Sequence, residues 1–262
     1  MAENGGLKLI TETYALFGRA MKKLLRSPVT IFFSLFMPLV WITLFGQLFS
    51  KFAEMPGFPT KSYMDFFTAG VVVMTVLTSA FQSGLSIVLD MDSGFLDKLL
   101  VAPINRLSIL MGRLLTDGVR IIIQASIIIA VALLMGAHIK TGFLGYLMMI
   151  IIAACFGIAW AGLSNIIAIA TKNSEVTMMA GMLLTFPILF MSSALMPINL
   201  QPKWMETVAK ANPASYIVDG IRSLMVSATF DWALIAKAFI VIIVVALFSI
   251  SGSIIMLRRV NH

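Results

Sequence analysis

Apolar and polar positions follow one another along this chain in long blocks. Residues 29–49 run for 21 positions without a charged side chain, and five comparable blocks follow. A helix needs about 20 apolar residues to cross roughly 30 Å of hydrocarbon, where only helices or closed barrels satisfy their backbone groups. The pattern therefore predicts an all-α polytopic membrane protein with six transmembrane helices, over Val29–Phe49, Phe66–Leu89, Arg113–Met135, Phe143–Ile169, Val176–Ala194 and Ala238–Met256.

The third block is less regular than the others. Its apolar centre, Ile121–Met135, is short, and Asp117 and Arg120 lie just before it. These two residues are three apart, so they share a helix face and are able to pair. Two interpretations stay open, a pair at the headgroup level on a helix that extends into the cytoplasm, or a polar site inside the membrane.

Composition agrees with a membrane protein. The chain is 60% hydrophobic and 12% charged, against about 25% charged for a typical soluble domain. Its net charge of +7 does not indicate a nucleic-acid partner here, because 12 of its 19 Lys and Arg residues fall on one predicted side. The positive-inside rule then puts both termini in the cytoplasm. The single cysteine, Cys155, lies in an apolar block, and we expect it to be a small residue of the core.

Residues 1–28 predict an amphipathic helix that lies in the membrane interface. Its basic side would face anionic headgroups and its apolar side would face lipid. Ser27-Pro28 ends it, and a simple anchor and a surface for a cytoplasmic partner are both open. The apolar stripe is Leu7, Ile10, Tyr14, Phe17, Met21, Leu24 and Leu25, and the charged side is Lys8, Glu12, Arg19, Lys22, Lys23 and Arg26.

The loop between blocks two and three is unusually apolar. Phe95, Leu96, Leu99 and Leu100 form one face over about two helical turns, and Pro103 ends them. A helix this short is not stable alone. We expect it to dock either on its own bundle or on a separate subunit.

The stretch from residue 195 to residue 231 is too long and too apolar for an ordinary loop. It predicts two short helices, Pro202–Ala211 and Ala214–Val226, with Asn212 as cap and Pro213 at the first helical position. Asp219 and Arg222 are three apart and able to pair. We expect these helices to dip into the outer leaflet and return, capping an external vestibule.

Several chemistries have no signature in this sequence. It contains no G-x-x-x-x-G-K-[ST] loop for ATP and no H-E-x-x-H zinc motif. Ionisable groups are nearly absent from the predicted span centres, which argues against an ion-coupled carrier. We therefore predict no catalytic residue, no cofactor and no metal site in this chain, which is not expected to be an enzyme.

Two segments carry a family resemblance. Residues 94–106 (GFLDKLLVAPINR) resemble the G-x-L-[DE]-x-L-L-x-x-P-x-x-R coupling segment of ABC-2-type ATP-binding-cassette exporters. Residues 212–222 (NPASYIVDGIR) resemble the N-P-x-x-Y-x-[VI]-[DE]-x-[IL]-R outer-helix motif of the same family. The two segments occur in the family's order and on opposite faces of the predicted topology. With the predicted helices, they extend the resemblance to the membrane subunit of such an exporter over nearly the whole chain. Within the family, the chain most resembles drug-export permeases of the daunorubicin-resistance type.

The resemblance implies a domain organisation. An interfacial helix (residues 1–28) would precede a six-span domain (29–262), with a coupling helix at about 93–106 and re-entrant outer helices at about 201–228. A separate cytoplasmic ATPase, in two copies, would bind ATP and Mg and engage Gly94, Leu96, Asp97, Leu99, Leu100, Pro103 and Arg106.

The resemblance also implies a dimer, most simply a homodimer, in the plasma membrane of a prokaryote. Spans two and five would meet the second chain. The substrate path would be lined by Phe66, Phe67, Thr75, Phe81, Phe186, Phe190 and Met191. The outer gate and re-entrant motif would comprise Leu195, Met196, Asn212, Pro213, Tyr216, Asp219 and Arg222.

Three functions are compatible with this sequence. The first is multidrug-type export of a hydrophobic or amphipathic compound, a drug or a lipid-like molecule. The second is export of a lipid-linked polysaccharide or a teichoic-acid-like glycan, because fold does not fix substrate. The third is a non-transporting scaffold or sensor partner, which predicts no tightly bound ATPase.

Overall fold

The computed structural model describes the backbone of residues 5–259 and the side chains of residues 8–256 other than Thr30 and Leu100. This part of the chain is helical and contains no β-strand. Its α-helices are α1 (Gly5–Leu25), α2 (Pro28–Val40), α3 (Gly46–Leu48), α4 (Tyr63–Asp92), α5 (Phe95–Val101), α6 (Arg106–Leu134), α7 (Gly142–Thr171), α8 (Ser174–Phe190), α9 (Lys203–Ala211), α10 (Pro213–Val226) and α11 (Trp232–Arg259). A π-helical segment, Trp41–Phe45, joins α2 to α3, and 3-10 turns lie at Ser50–Glu54 and Ile198–Leu200.

Within the described residues, five helical segments are long and apolar enough to cross a membrane by length and composition. They are Ile31–Leu48, Tyr63–Asp92, Arg106–Leu134, Gly142–Thr171 and Trp232–Met256. These segments confirm the prediction of an all-α polytopic membrane protein. They coincide with predicted spans one, two, three, four and six.

The fifth predicted span differs from its expected bounds. Helix α8 has 17 residues and ends at Phe190 rather than at Ala194, so it is about 26 Å long. Side chains, rather than a further helical turn, form hydrogen bonds with the last carbonyls of α8. Ser192 Oγ donates to the Leu189 carbonyl at 2.6 Å, and Asn212 Nδ2 donates to the Ile188 carbonyl at 2.7 Å. A sixth span at α8 therefore stays a prediction.

Helix α6 begins seven residues before the predicted third span. The Asn105 side chain accepts a hydrogen bond from the Leu107 amide at 2.9 Å, which caps the new first turn. The predicted ion pair between Asp117 and Arg120 is present, and 3% and 12% of these two side chains are exposed. The helix thus extends well beyond its apolar centre, and the pair lies in the interior of the bundle.

Helix α4 is the centre of the bundle. It packs against α7, α6, α10 and α8, and 78% of its most apolar stretch of 18 residues is buried inside the protein. Small residues allow the closest approaches, as expected for helices in a membrane. Ser164 Oγ on α7 donates to the Phe81 carbonyl at 3.0 Å and accepts from the Gly84 amide at 3.2 Å.

Helix α1 packs along α6 at one end of the bundle, which we call the α5 end. A Cβ at Gly112 of α6 would meet Leu16 and the Phe17 backbone, so the glycine permits this contact. The predicted apolar stripe is therefore divided. Leu16, which is not part of the stripe, packs against the core, and Phe17 is half-buried, whereas Ile10 and Tyr14 remain 65% and 74% exposed. Leu7 of the same stripe lies outside the described side chains.

Candidate functional site

The segment after α4 forms a short helix with one buried side. Gly94 adopts φ 65°, in the left-handed region that suits glycine, and turns the chain from α4 into α5. Leu96 is 2% exposed, and Leu99 packs half-buried against the core. The apolar side of this segment therefore docks on its own bundle, which is one of the two alternatives that the sequence left open.

The opposite side of α5 is exposed. Asp97, Lys98 and Val101 lie there at helical spacing, and 89% of Val101 is exposed. Pro103 follows them on the surface, and Arg106 is half-buried. The predicted residue Leu100 has a side chain outside the described set. Sequence reasoning missed Lys98 and Val101, although their spacing opposite Leu96 marks the outward side.

Helix α1 holds both ends of this segment. The Arg19 guanidinium carbon lies 3.2 Å from the centre of the Phe95 ring, a cation–π contact. At the other end, the Glu12 carboxylate accepts from the Asn105 amide at 3.0 Å and from Ser108 Oγ at 2.9 Å. Helix α1 and the predicted coupling helix α5 are thus one packed unit.

A buried charge cluster ties this unit to the bundle. Asp90, near the end of α4, forms an ion pair with Arg113 of α6 and accepts from Lys23 Nζ of α1 at 3.2 Å. Only 9% of the Asp90 side chain is exposed. The sequence analysis placed Lys23 on the charged side of the N-terminal helix and Arg113 at the start of the third span, but it did not predict that they meet at Asp90. Asp90 and Arg113 border predicted spans, where an ionisable residue needs a partner.

Arg222 organises the opposite end of the bundle, which we call the α10 end. Its Nε donates to the carbonyl of Phe66 at 3.2 Å, and one terminal nitrogen donates to that of Ser193 at 2.6 Å. The other terminal nitrogen pairs with Asp219 at 3.0 Å, and the guanidinium lies 3.5 Å from the Phe66 ring centre. Burial lowers the pKa of Arg222 to about 10, and the Asp219 carboxylate opposes this shift, so the group stays charged at neutral pH.

Residues 191–197, which we call the outer turn after the side of the membrane predicted from the sequence, are held mainly through their backbone. Asn212 Nδ2 donates to the Met191 carbonyl at 2.8 Å, and Tyr63 Oη donates to that of Leu195 at 3.4 Å. Gln201 Nε2 donates to that of Met196 at 3.1 Å. The structure thus brings most predicted gate residues together around one turn.

The two remaining gate residues act on the short helices. Asn212 caps α10, and Pro213 occupies its first position, as predicted. Tyr216 Oη donates to the Lys210 carbonyl at 2.7 Å and so ties α10 to α9. Sequence reasoning missed Tyr63, Gln201 and Ser193. The side chains of Tyr63 and Gln201 donate to main-chain carbonyls, and Ser193 offers its own carbonyl to Arg222, so no pattern of side chains reveals these contacts.

An open cavity of about 510 Å³ adjoins this cluster, and its lining combines apolar and polar side chains. Its lining includes Thr60, Asn199, Glu206, Lys210, Asp219 and Arg222. The cavity lies at the α10 end, where the sequence predicts an external vestibule. Among the residues that the structure describes, no group of three or more His, Cys, Asp or Glu side chains is arranged to hold a metal ion.

The predicted path residues do not share one surface. Phe66, Phe67, Thr75 and Phe81 of α4 are all less than 8% exposed, because α7, α8 and α10 cover them. On α8, Phe186 and Phe190 are 50% and 42% exposed, and Met191 beyond it is half-buried. These four positions of α4 are thus covered within the chain, whereas the predicted positions on α8 are exposed; the role of spans two and five in a dimer stays a prediction.

Fold and contacts define a polytopic membrane protein whose central helix, α4, joins the docked short helix at the α5 end to the braced turn at the α10 end. Residues 11–226 match the family model described as ABC-2 type transporter. The chain belongs to this family, as the two sequence segments predicted.

Relatives with functional names support the same assignment. The ycf38 protein of Porphyra purpurea, named as a transport permease, is 31% identical over 86% of this chain and 77% of its own length. The daunorubicin resistance ABC transporter permease protein DrrB1 of Streptomyces coeruleorubidus is 27% identical over 85% of this chain and 78% of its own. DrrC of Mycobacterium tuberculosis, named for doxorubicin resistance, is 21% identical over 84% and 79%.

Proposed function

We propose that this chain is the membrane subunit of an ATP-driven exporter of hydrophobic or amphipathic compounds. A separate ATPase, in two copies, binds ATP and Mg on the cytoplasmic side, where both termini of this chain also lie. Two copies of this chain form the path through a prokaryotic plasma membrane. Family membership and the drug resistance in the names of two relatives support this proposal.

The exposed side of α5 is the observation that carries the proposal. Leu96 and the Arg19–Phe95 contact fix the inner side of α5 to the bundle, while Asp97 and Val101 remain free on the outside. A short helix becomes a rigid element only when it is docked in this way. A push on its outer side would therefore move α4 rather than bend a loop.

Helix α4 offers a route from that push to the gate. Its 30 residues span about 45 Å, from Asp92 beside α5 to Tyr63 and Phe66 beside the outer turn. We assign the gate to Leu195 and Met196, whose carbonyls accept hydrogen bonds from Tyr63 and Gln201. Closure of the ATPase dimer shifts α5 and α4, loosens these bonds and opens the turn outwards, in an alternating-access cycle.

The exposed face of α8 suits the path. Met178, Met179, Met182 and Phe186 are each 46% exposed or more. Flexible thioethers adapt to differently shaped apolar ligands. This composition favours a pliable route for amphipathic molecules, shared between the α8 helices of two chains.

Co-purification with the ATPase tests this proposal. The chain is expressed with a P-loop ATPase encoded beside it and is purified by a tag on the chain alone. Val101→Asp places a charge in the proposed contact and should lower ATPase recovery at least tenfold, because a buried unpaired charge costs more than about 1.4 kcal/mol. Val208→Asp, on exposed α9, is the matched control. Equal recovery in both variants, or a chain that purifies without any ATPase, would overturn the proposal.

A further inference from the structure

Helix α1 and the residue that follows it present four exposed basic side chains. They are Arg19, the consecutive pair Lys22 and Lys23, and Arg26, which together cover about two helical turns. We call these four residues the basic flank. Ile10 and Tyr14 are exposed on preceding turns of the same helix, so apolar surface adjoins the basic flank.

An open groove of about 690 Å³ runs along this surface. The basic flank lines it together with Tyr14, Ala15, Gly18 and Ser27. A Cβ at Gly18 would find no atom within 4 Å, so the groove floor has room. Lys22 and Arg26 make no ion pair with any described side chain, which leaves two exposed positive charges uncompensated at the groove.

We infer that the basic flank binds the phosphate headgroup of an anionic phospholipid from the leaflet that borders α1. Lys22 and Arg26 supply the charge, and the acyl chains lie against Ile10 and Tyr14. Charge complementarity and the adjoining apolar surface favour a lipid over a soluble anion, because a soluble anion has no acyl chain to cover the apolar side chains. The location agrees, because α1 ends at Leu25 and α2, which leads into the first span, begins at Pro28.

The two other bases connect this site to the coupling segment. Arg19 stacks on Phe95 of α5, and Lys23 pairs with Asp90 at the end of α4. A headgroup that holds α1 in place therefore also steadies α5. This inference goes beyond the proposed function, since it depends neither on the exported compound nor on the ATPase.

Lipid titration of the purified full chain tests the site. Native mass spectrometry in detergent measures the apparent Kd for phosphatidylglycerol and for phosphatidylcholine. The wild type should prefer phosphatidylglycerol at least tenfold. Lys22→Gln with Arg26→Gln should weaken its binding roughly thirty-fold, from about 1 kcal/mol per base at a membrane surface. The charge-matched control, Lys61→Gln with Lys203→Gln, alters two exposed lysines outside α1 and should stay within twofold.

Three outcomes would overturn the inference. They are an unchanged Kd in the Lys22/Arg26 variant, an equal loss in the control, and displacement of the lipid by equimolar inorganic phosphate. Hydrogen exchange tests the connection to α5. Phosphatidylglycerol should slow exchange in residues 94–102 of the wild type and not in the variant, and equal exchange with and without the lipid would refute that connection.

Discussion

The guanidinium of Arg222 lies over the ring of Phe66, 3.5 Å from its centre, while Nε of the same arginine donates to the Phe66 carbonyl. One side chain of α10 thus binds both the ring and the backbone of a single residue on α4. Because Arg222 also donates to the Ser193 carbonyl, it joins α4, α10 and the outer turn at one point.

Replacing this arginine by lysine should loosen the α10 end. Lysine keeps the charge but lacks the planar fork that reaches Phe66, Ser193 and Asp219 together. Loss of one charge-assisted hydrogen bond costs about 1.5–3 kcal/mol, which corresponds to a fall in Tm of about 5 °C for a chain of this size. Thermal unfolding in nanodiscs measures Arg222→Lys against Lys210→Ala, whose lysine is exposed. Equal Tm values for the two variants would contradict this role.

Asp90 should control how firmly α1 is attached. It holds Lys23 and Arg113 at once, so Asp90→Asn removes the charge that both cations share. We expect amide hydrogen exchange in residues 19–25 to rise at least tenfold, because α1 opens more readily from the bundle. Asp92→Asn is the control, since that carboxylate is exposed. If the two variants exchange alike, the cluster does not anchor α1.

Gly70 should tolerate no side chain. A Cβ at this position of α4 would overlap the carbonyl oxygen of Ala194, a main-chain atom of the outer turn. Gly70→Ala should therefore displace that turn and lower stability by about 1–3 kcal/mol, as overpacking does. Gly18→Ala, where a Cβ meets nothing within 4 Å, should leave Tm unchanged or raise it slightly. Urea unfolding measures the free energy of unfolding of both variants. A Gly70→Ala protein as stable as the wild type would refute the close contact with Ala194.

The exposed face of α8 should lie between two chains of the exporter. In a Cys155→Ala background, Phe186→Cys should cross-link to its counterpart in the membrane with a short bis-maleimide. Leu247→Cys, on exposed α11, should remain monomeric under the same conditions. A dimer band for Leu247→Cys alone would move the interface to α11, and the absence of both bands would argue against a dimer through α8.

The apolar blocks predicted the helices because each is about 20 residues long, the length of a membrane-spanning helix, and a helix satisfies all of its backbone groups within one block. Predicted spans two and four lie within the observed α4 and α7, and Asn212 and Pro213 start α10 as their capping preferences require. The pairs Asp117–Arg120 and Asp219–Arg222 also follow from sequence spacing alone. These features depend on residues that are close together in the chain.

The end of α8 shows where such reasoning stops. The apolar run continues to Ala194, yet the helix ends at Phe190. Asn212, more than twenty residues later in the chain, donates hydrogen bonds to the carbonyls of Ile188 and Met191 in place of a continued helix. Helix α6 likewise starts early, at a turn that Glu12 of α1 supports. Neither partner is visible from the local pattern.

By itself the sequence determined the helical class, most span positions, the two family segments and the capping of α10, since each follows from local hydrophobicity, spacing or backbone preference. Only the tertiary structure decided that α4 is buried, that Leu96 faces inwards while Val101 faces outwards, and that Arg222 braces the outer turn. The physical reason is that these properties depend on which distant segment covers a side chain or accepts its hydrogen bond. Periodicity identifies the two faces of a helix, and packing decides which partner each face meets.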